Sequence, residues 1–369
     1  MPSFLSSKPG AVDVLYSTSN NILFNLATEE YIFEHCDVVN PVLFLWRNNP
    51  TIIIGKHQNP WKECRVQKLE EDNVLLARRK SGGGCVYQDL GNSVFSFINP
   101  VGLDDKVDFK TMNNGVLLAA LSKFGIQAEA SGRNDLIVKH EEFDKKISGS
   151  AYKLRLGNTK TGEGRRALHH GTMLLDLELT ALGQYLNPSK AKLQSKGVDS
   201  VISRVINLKQ LAPTIDHDNF CASLEHEFIR KYEGGGGINK RTLPAADLEK
   251  IPKIKEIFDE SSDWQWRFGE TPNFSNSLET KFPWALVDFQ FNVEKGMIVE
   301  GRCFSDCLVP PYIDAINEIL GTGQISYDVN GIKTLCNRLK AEFNDEGEQD
   351  TMLRESYTPE LEAWLCEQI

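Results

Sequence analysis

Four short segments carry residue types that could do chemistry. Arg78-Arg79-Lys80-Ser81-Gly82-Gly83-Gly84-Cys85-Val86-Tyr87 places three cations ahead of three successive glycines. Glycines between two strands let backbone N–H groups approach a ligand without Cβ atoms in the way, which suits an anion such as a phosphate. The run is neither a Walker loop nor a dinucleotide loop of the Gly-x-Gly-x-x-Gly type. An anion cradle and an ordinary glycine-rich hairpin both fit it. Ser131-Gly132-Arg133-Asn134-Asp135 leads into the apolar Leu136-Ile137-Val138, where a plain turn also fits. In Lys145-Lys146-Ile147-Ser148-Gly149-Ser150-Ala151-Tyr152, two lysines introduce a strand of small side chains. A flat ligand can lie close to such a strand while a lysine reaches its phosphate or carbonyl; a solvated lysine pair is the plainer alternative. His169-His170-Gly171-Thr172 sets two histidines before a buried-looking strand. Extended backbone sends them to opposite faces, so they do not share a metal, and structural hydrogen bonding is expected of them.

The elements that must position these segments follow from capping, breakers and period. A first helix is expected over residues 25–33, with Asn25 as N-cap and Glu29 and Glu30 early, where the helix dipole favours them. Residues 42–46 and 51–54 read as a hairpin around Arg47-Asn48-Asn49-Pro50. A helical stretch over 61–72 and a strand over 74–77 lead into the glycine run, and strands over 85–88 and 93–98 follow it. Met112, Val116, Ala119, Ala120 and Phe124 keep a helical period over 110–124. Strands are expected at 128–130, 136–138, 147–151 and 168–175, with residues 155–166 a mobile surface excursion whose Arg165 and Arg166 are candidates to meet an acidic partner. A helix capped by Asp216 runs to Tyr232 and stops at Gly234–Gly237, four glycines that read as a flexible linker. A second break falls at 272–277, followed by a hairpin around Glu294-Lys295-Gly296 and helices over 312–320 and 332–343. The order predicts an α/β (α+β) chain: a large domain over residues 1–272 and a small α+β domain over 278–369.

Composition narrows the function classes. The 369 residues hold 41 Lys+Arg against 51 Asp+Glu, a formal charge of −10, with 41% hydrophobic and 25% charged residues. That is a globular composition, and an acidic total argues against a protein that coats nucleic acid through its cations. No apolar run approaches the roughly 18 residues of a membrane span, so neither nucleic acid nor membrane is an expected partner. Of the eight cysteines only Cys303 and Cys307 lie close together, without a second pair to complete a zinc site. They read as reduced thiols. The N-terminus lacks an apolar secretory core and an Arg-rich amphipathic stretch, so the expectation is a soluble cytoplasmic protein, or a mitochondrial one in a eukaryote.

Taken in order, Phe24-Asn25-Leu26-Ala27-Thr28-Glu29-Glu30, Leu43-Phe44-Leu45-Trp46-Arg47-Asn48, Gln58-Asn59-Pro60-Trp61, the four segments above, Trp264-Gln265-Trp266-Arg267-Phe268-Gly269 and Val293-Glu294-Lys295-Gly296 form a specific set. Over nearly its whole length the chain resembles the lipoate–protein ligase A family of the biotin/lipoate protein ligase superfamily. The resemblance implies a large biotin/lipoate-ligase-type catalytic domain, similar in architecture to class II synthetases, and a small C-terminal accessory domain. It implies a two-step reaction, and a monomer is expected. Lipoate and ATP, with Mg2+, form lipoyl-AMP and pyrophosphate; the lipoyl group then passes to a lysine on the lipoyl domains of 2-oxoacid dehydrogenase E2 subunits or the glycine-cleavage H protein.

By the same resemblance, Arg79 contacts ATP, Gly84, Cys85, Val86 and Tyr87 line the nucleotide with backbone amides, and Lys146 touches both nucleotide and lipoyl carboxylate as the catalytic residue. Ser81, Asn92, Asp135 and His170 are further candidates for the lipoate pocket. Asp135 is also a candidate to orient Lys146 or hold Mg2+, and no metal ligand is assigned. Arg78, Arg79, Lys80 and Lys146 together are expected to gather positive charge around ATP and carboxylate. Gln88 departs from the family, which often places a His before Asp-Leu-Gly-Asn. Two other readings stay open: a lipoyl or octanoyl transferase using a preformed donor, and a non-enzymatic module that binds lipoyl domains. A thioester-forming transferase needs a cysteine, and none occurs between Cys85 and Cys221.

Overall fold

Among the described residues the N-terminal part of the chain forms eleven strands, the central ones from apolar runs bounded by polar turns: β1 (Ala11–Ser17), β2 (Val42–Trp46), β3 (Thr51–Ile54), β4 (Leu75–Arg78), β5 (Val86–Gln88) and β6 (Asn92–Val101) come first. They are followed by β7 (Ala128–Ser131), β8 (Asp135–His140), β9 (Phe143–Arg155), β10 (Arg165–Leu174) and β11 (Gly237–Leu243). The computed structural model describes residues 4–368 except 102–107, 156, 158–163, 187–203, 249, 269–275, 295 and 346. The chain divides into two units. The first holds Met1–Ile54, Pro60–Lys80 and Cys85–Gly269; the second holds Gly55–Asn59, Ser81–Gly84 and Glu270–Ile369.

In the first unit, eight strands form one sheet in the order β11-β1-β2-β6-β10-β9-β8-β7, and β4-β3-β5 form a separate small sheet. Both faces of the large sheet are covered, as its near-continuous apolar strands require. On one face Phe44, Trp46, Ile98 and Leu168 pack with Ile32 and Phe33 of the helix Ile22–His35 and Ile254 and Ile257 of the helix Pro252–Ser262. On the other, Leu43, Leu45, Phe95, Phe97 and Met173 pack with Leu117 of Phe109–Ser122 and Phe220 and Phe228 of His217–Tyr232. The last helix starts as expected, in a capping box between Asp216 and Asn219.

The second unit is a four-stranded antiparallel sheet, β12 (Asn276–Lys281), β13 (Leu286–Glu294), β14 (Met297–Ser305) and β15 (Ile325–Ser326), with the helices Pro310–Gly321, Val329–Glu342 and Thr358–Gln368. Phe289, Phe291, Tyr312, Ile316 and Leu335 share its core. Both units mix helices and strands, the α/β (α+β) class expected from the order of elements.

Three local expectations are corrected. β2 and β3 are not a hairpin: they lie in different sheets, β2 beside β1 and β6, β3 between β4 and β5. The first helix begins at Ile22 with Asn21 as its cap, the Asn21 side chain accepting from Leu23 N at 3.0 Å, so Asn25 and Glu29 lie inside it. The Gly234–Gly237 tract is no linker. Gly234 N and Gly236 N both donate to Gly10 O, at 2.9 and 3.0 Å, and a Cβ on Gly236 would collide with the backbone of Gly10 and Ala11. The tract lets β11 come alongside β1 as a parallel edge strand. The breaks expected at 272–277 and the centre of the 155–166 excursion fall partly outside the described residues.

Candidate active site

β8 and β9 form an antiparallel pair in which Asp135 sits opposite Gly149, with a register shift between Leu136 and Ile137. Lys146 is fixed on both sides by main chain: its N donates to Arg204 O at 2.6 Å and its O accepts from Ile206 N at 3.1 Å. Its ammonium comes within 2.7 Å of Asp135 Oδ1, an ion pair with 34% and 36% of the two side chains exposed, so a ligand can reach it. The lysine lies over Gly149. A Cβ there would sit 2.8 Å from Nζ and 3.0 Å from Cε, so the lysine terminus would have to shift. The structure thus brings together Lys146 and Asp135, and the glycine that follows them makes the room.

Further along the same sheet face, Ala151 pairs with His170, and His170 with Ser96. His170 Nδ1 is 2.8 and 2.9 Å from the two oxygens of Glu29. The Ser96 hydroxyl donates to Glu29 Oε2, and Trp46 Nε1 donates to Ser96 Oγ at 3.2 Å. All four residues are buried. Sequence places Glu29 near the helix start, for the dipole; two turns inside the helix, it instead supplies the carboxylate beneath His170. One signal was available: Asn25 and Glu29 are polar residues four apart, hence on one face of the helix. Asn25 also turns inward, giving Nδ2 to Asn48 Oδ1 at 3.1 Å, and Asn48 Nδ2 donates to Gln88 Oε1 at 2.6 Å. Gln88 therefore ends a buried amide chain.

His169 points to the opposite face, as alternation requires. Its ring lies 4.6 Å from Tyr152, 5.6 Å from Phe95 and 5.8 Å from Phe97, centroid to centroid. Neither ring nitrogen has a hydrogen-bond partner among the described residues, and burial holds the ring's pKa down to about 3. Structural hydrogen bonding, expected of both histidines, holds for His170 alone.

The cationic triplet is divided. Arg79 is buried, and its Nη1 donates to Ile53 O at 3.3 Å. Arg78 donates from Nε to Trp266 O at 2.8 Å and from Nη2 to Arg267 O at 3.0 Å, and Lys80 pairs with Glu260 while lying 3.8 Å over the Trp266 ring. Arg78 and Lys80 thus serve residues 260–267, which corrects the expectation that the whole triplet gathers around an anion. Arg166 is likewise corrected: it is buried, donating to Phe33 O and Cys36 O at 2.8 and 2.6 Å, and does not face a partner.

Among the remaining candidates, Val86 and Tyr87 pair with Ile53 and Ile52, and the Tyr87 ring stacks on Tyr185. Asn92 closes its own turn, its Oδ1 accepting from Asp89 N at 3.4 Å. A hydrogen bond with Cys64, together with burial, pushes the Cys85 thiol well up, and burial pushes Cys221 up to about 12, so neither is an activated nucleophile. Ser81 and Gly84 go with the second unit. There Ser81 O accepts from Lys56 N at 2.9 Å, Gly83 N donates to Cys307 O at 3.4 Å, and Lys56 Nζ pairs with Asp314 at 2.8 Å. Among the described residues no group of three or more His, Cys, Asp or Glu could hold a metal ion, and no helix is long and apolar enough to cross a membrane.

Comparison with known proteins agrees with this arrangement. The model of the lipoyl protein ligase A/B catalytic domain matches residues 21–229, and that of the bacterial lipoate protein ligase C-terminus matches residues 271–354. The crystal structure of P. falciparum LipL1 in complex with lipoate is similar at 32% identity, over 97% of this chain and 99% of that one, with a TM-score of 0.78. A bipartite lipoate protein ligase from Thermoplasma acidophilum, studied with its E2 lipoyl domain, matches at 25% identity over 73% of this chain and 100% of that one, with a TM-score of 0.60. A lipoate-protein ligase A bound with ATP matches at 25% identity over 71% and 99%, with a TM-score of 0.56. With the catalytic-domain model spanning more than half of its length, the chain belongs to the lipoyl protein ligase A/B family and carries a lipoate protein ligase C-terminal unit.

Proposed function

We propose that this chain is an ATP-dependent lipoate–protein ligase, with residues 1–272 as catalytic domain and 278–369 as accessory domain. The observation that carries the reading is the Lys146–Asp135 pair folded over Gly149. Adenylation brings the lipoate carboxylate against the α-phosphate of ATP, two anions. A lysine ammonium held by its own strand offsets that repulsion as the carboxylate oxygen attacks and pyrophosphate leaves. Asp135 orients the ammonium. In the second step an acceptor lysine amine attacks the acyl carbon of lipoyl-AMP, AMP leaves, and the same ammonium stabilises the oxyanion. Arg79 and the backbone of residues 85–87 would contact the nucleotide, and Asn92, Asp135 and His170 the lipoate pocket.

The relatives support each substrate class: lipoate in the complex of the Plasmodium protein, ATP in the ligase A structure, and an E2 lipoyl domain with the archaeal ligase. Lipoyl domains of E2 subunits or of the H protein are accordingly the acceptors in this reading. The described residues do not form a resident metal site, Asp135 being paired with Lys146, so Mg2+ would arrive with the nucleotide phosphates.

Pyrophosphate release tests the reading. The purified chain with lipoate and MgATP, without acceptor, is expected to release pyrophosphate. No release, with lipoylation from premade lipoyl-AMP intact, would make it a transferase. No modification from either donor would leave a binding module.

A further inference from the structure

Residues 264–267 lie between the stretches that the two family models match, yet they make close polar contacts with the end of β4. The helix Pro252–Ser262 anchors them: Ile254 and Ile257 are buried in the core with the first helix, and Asp263 then caps the short helix Trp264–Arg267 by accepting from Gln265 N at 2.6 Å. The last carbonyls of a helix have no amide partner within it. Here the Arg78 guanidinium supplies donors to two of them, at Trp266 and Arg267, while the Trp266 indole Nε1 donates back to Arg78 O at 3.0 Å. The exchange is reciprocal, side chain to main chain in both directions. Lys80, two residues on, is caught between Glu260 and the face of the Trp266 ring. Both neighbours of Arg79 are therefore fastened to one short helix, and Arg79 N is bonded to Ile54 O at 3.0 Å on the next strand.

We propose that Trp266 and Arg78 are positioning residues for Arg79: their reciprocal brace fixes the end of β4, so that the Arg79 guanidinium is held ready for an anionic group of the nucleotide. The proposal rests on the reading above that Arg79 contacts ATP. Arg78 and Lys80 then have no contact with the nucleotide. They set the main chain on either side of the residue that does.

The test compares Trp266→Phe, Arg78→Lys and Arg79→Ala with the full-length wild type. ATP binding is followed by equilibrium titration, and the KM values for ATP and for lipoate by pyrophosphate release. Phe keeps an aromatic ring near Lys80 while removing the indole N–H and part of the ring system. We expect Trp266→Phe to raise the KM and Kd for ATP about tenfold, the scale of one lost positioning hydrogen bond, with the lipoate KM unchanged and Tm within a few degrees. Arg78→Lys, which cannot span both carbonyls, should do the same or more. A merely structural brace would lower Tm and kcat while leaving the KM for ATP alone, and that result overturns the proposal. If Arg79→Ala raises the KM for ATP and the two brace variants do not, only the brace is wrong. If Arg79→Ala leaves ATP binding unchanged, or the wild type binds no ATP, the assignment of Arg79 falls and the brace with it.

Discussion

His169 and His170 are neighbours in sequence and lie on opposite faces of β10, in surroundings that share almost nothing. His170 has a carboxylate at 2.8 Å and stands on the face where Lys146 crosses Gly149; His169 is enclosed by Tyr152, Phe95 and Phe97, with no partner for either nitrogen among the described residues. Around His170 the face carries small and polar residues, Gly149, Ala151 and Ser96, with Lys146 beyond them. Around His169 it carries rings. Residue type alone therefore says little here; the face onto which strand parity turns each residue decides whether it can meet a ligand.

The contrast predicts where substitutions will hurt. Removing the charge on the polar face should have the largest effect. Lys146→Ala should cut pyrophosphate release by about 10²-fold or more, because a group that stabilises developing charge is lost. Thermal unfolding should shift little, since the side chain is partly exposed and outside the core. Equal activity in wild type and variant would remove Lys146 from the chemistry. Gly149→Ala comes next. Its methyl must displace the lysine terminus, so about a tenfold fall in kcat is expected with the lysine still present. Wild-type kcat in this variant would mean that the lysine works from another position.

How far sequence reached depends on the same parity. Lys146, Asp135 and His170 were legible as candidates because short segments fix the residues and strands fix the facing. What supports them was not. The hairpin expected at Arg47–Pro50 has good turn residues, but loop chemistry does not say whether the flanking strands enter one sheet or two. The four glycines after Tyr232 have a linker's composition, and only the approach of Gly10 explains them. Glu29 depends on the placing of one cap: with the helix capped by Asn21 and not by Asn25, it lies inside the helix as a buried partner of His170. Arg78 and Lys80 looked like anion ligands because residues some 180 positions later in the chain, which occupy them, are invisible to local reading.

A smaller effect separates the polar face's machinery from its support. Glu29→Leu would leave the Ser96 hydroxyl and His170 Nδ1 without their acceptor, at a cost of about 1–3 kcal/mol. The lipoate KM should rise a few-fold through the loosened His170, with the KM for ATP unchanged. A stability loss without any change in lipoate KM would make Glu29 a structural residue only.

The smallest effect on activity belongs to the ring-lined face, and there the signature is in pH. Burial holds His169 at about 3 and His217 at about 4, against about 6.5 in an unfolded chain. Below pH 6.5 the unfolded state takes up protons that the folded state refuses. The stability these neutral rings allow is thus complete above that pH and is lost as pH falls toward 4 and then 3, by up to about 1.4 kcal/mol per pH unit for each ring. His169→Phe fills similar space without the titrating group. It should leave pyrophosphate release at pH 7.5 within about twofold of wild type and make the protein more resistant to unfolding at pH 5, with part of the acid slope remaining through His217. A variant that lost most of its activity at pH 7.5, or that kept the full acid slope, would show that the ring-lined face is not the inert half of the pair.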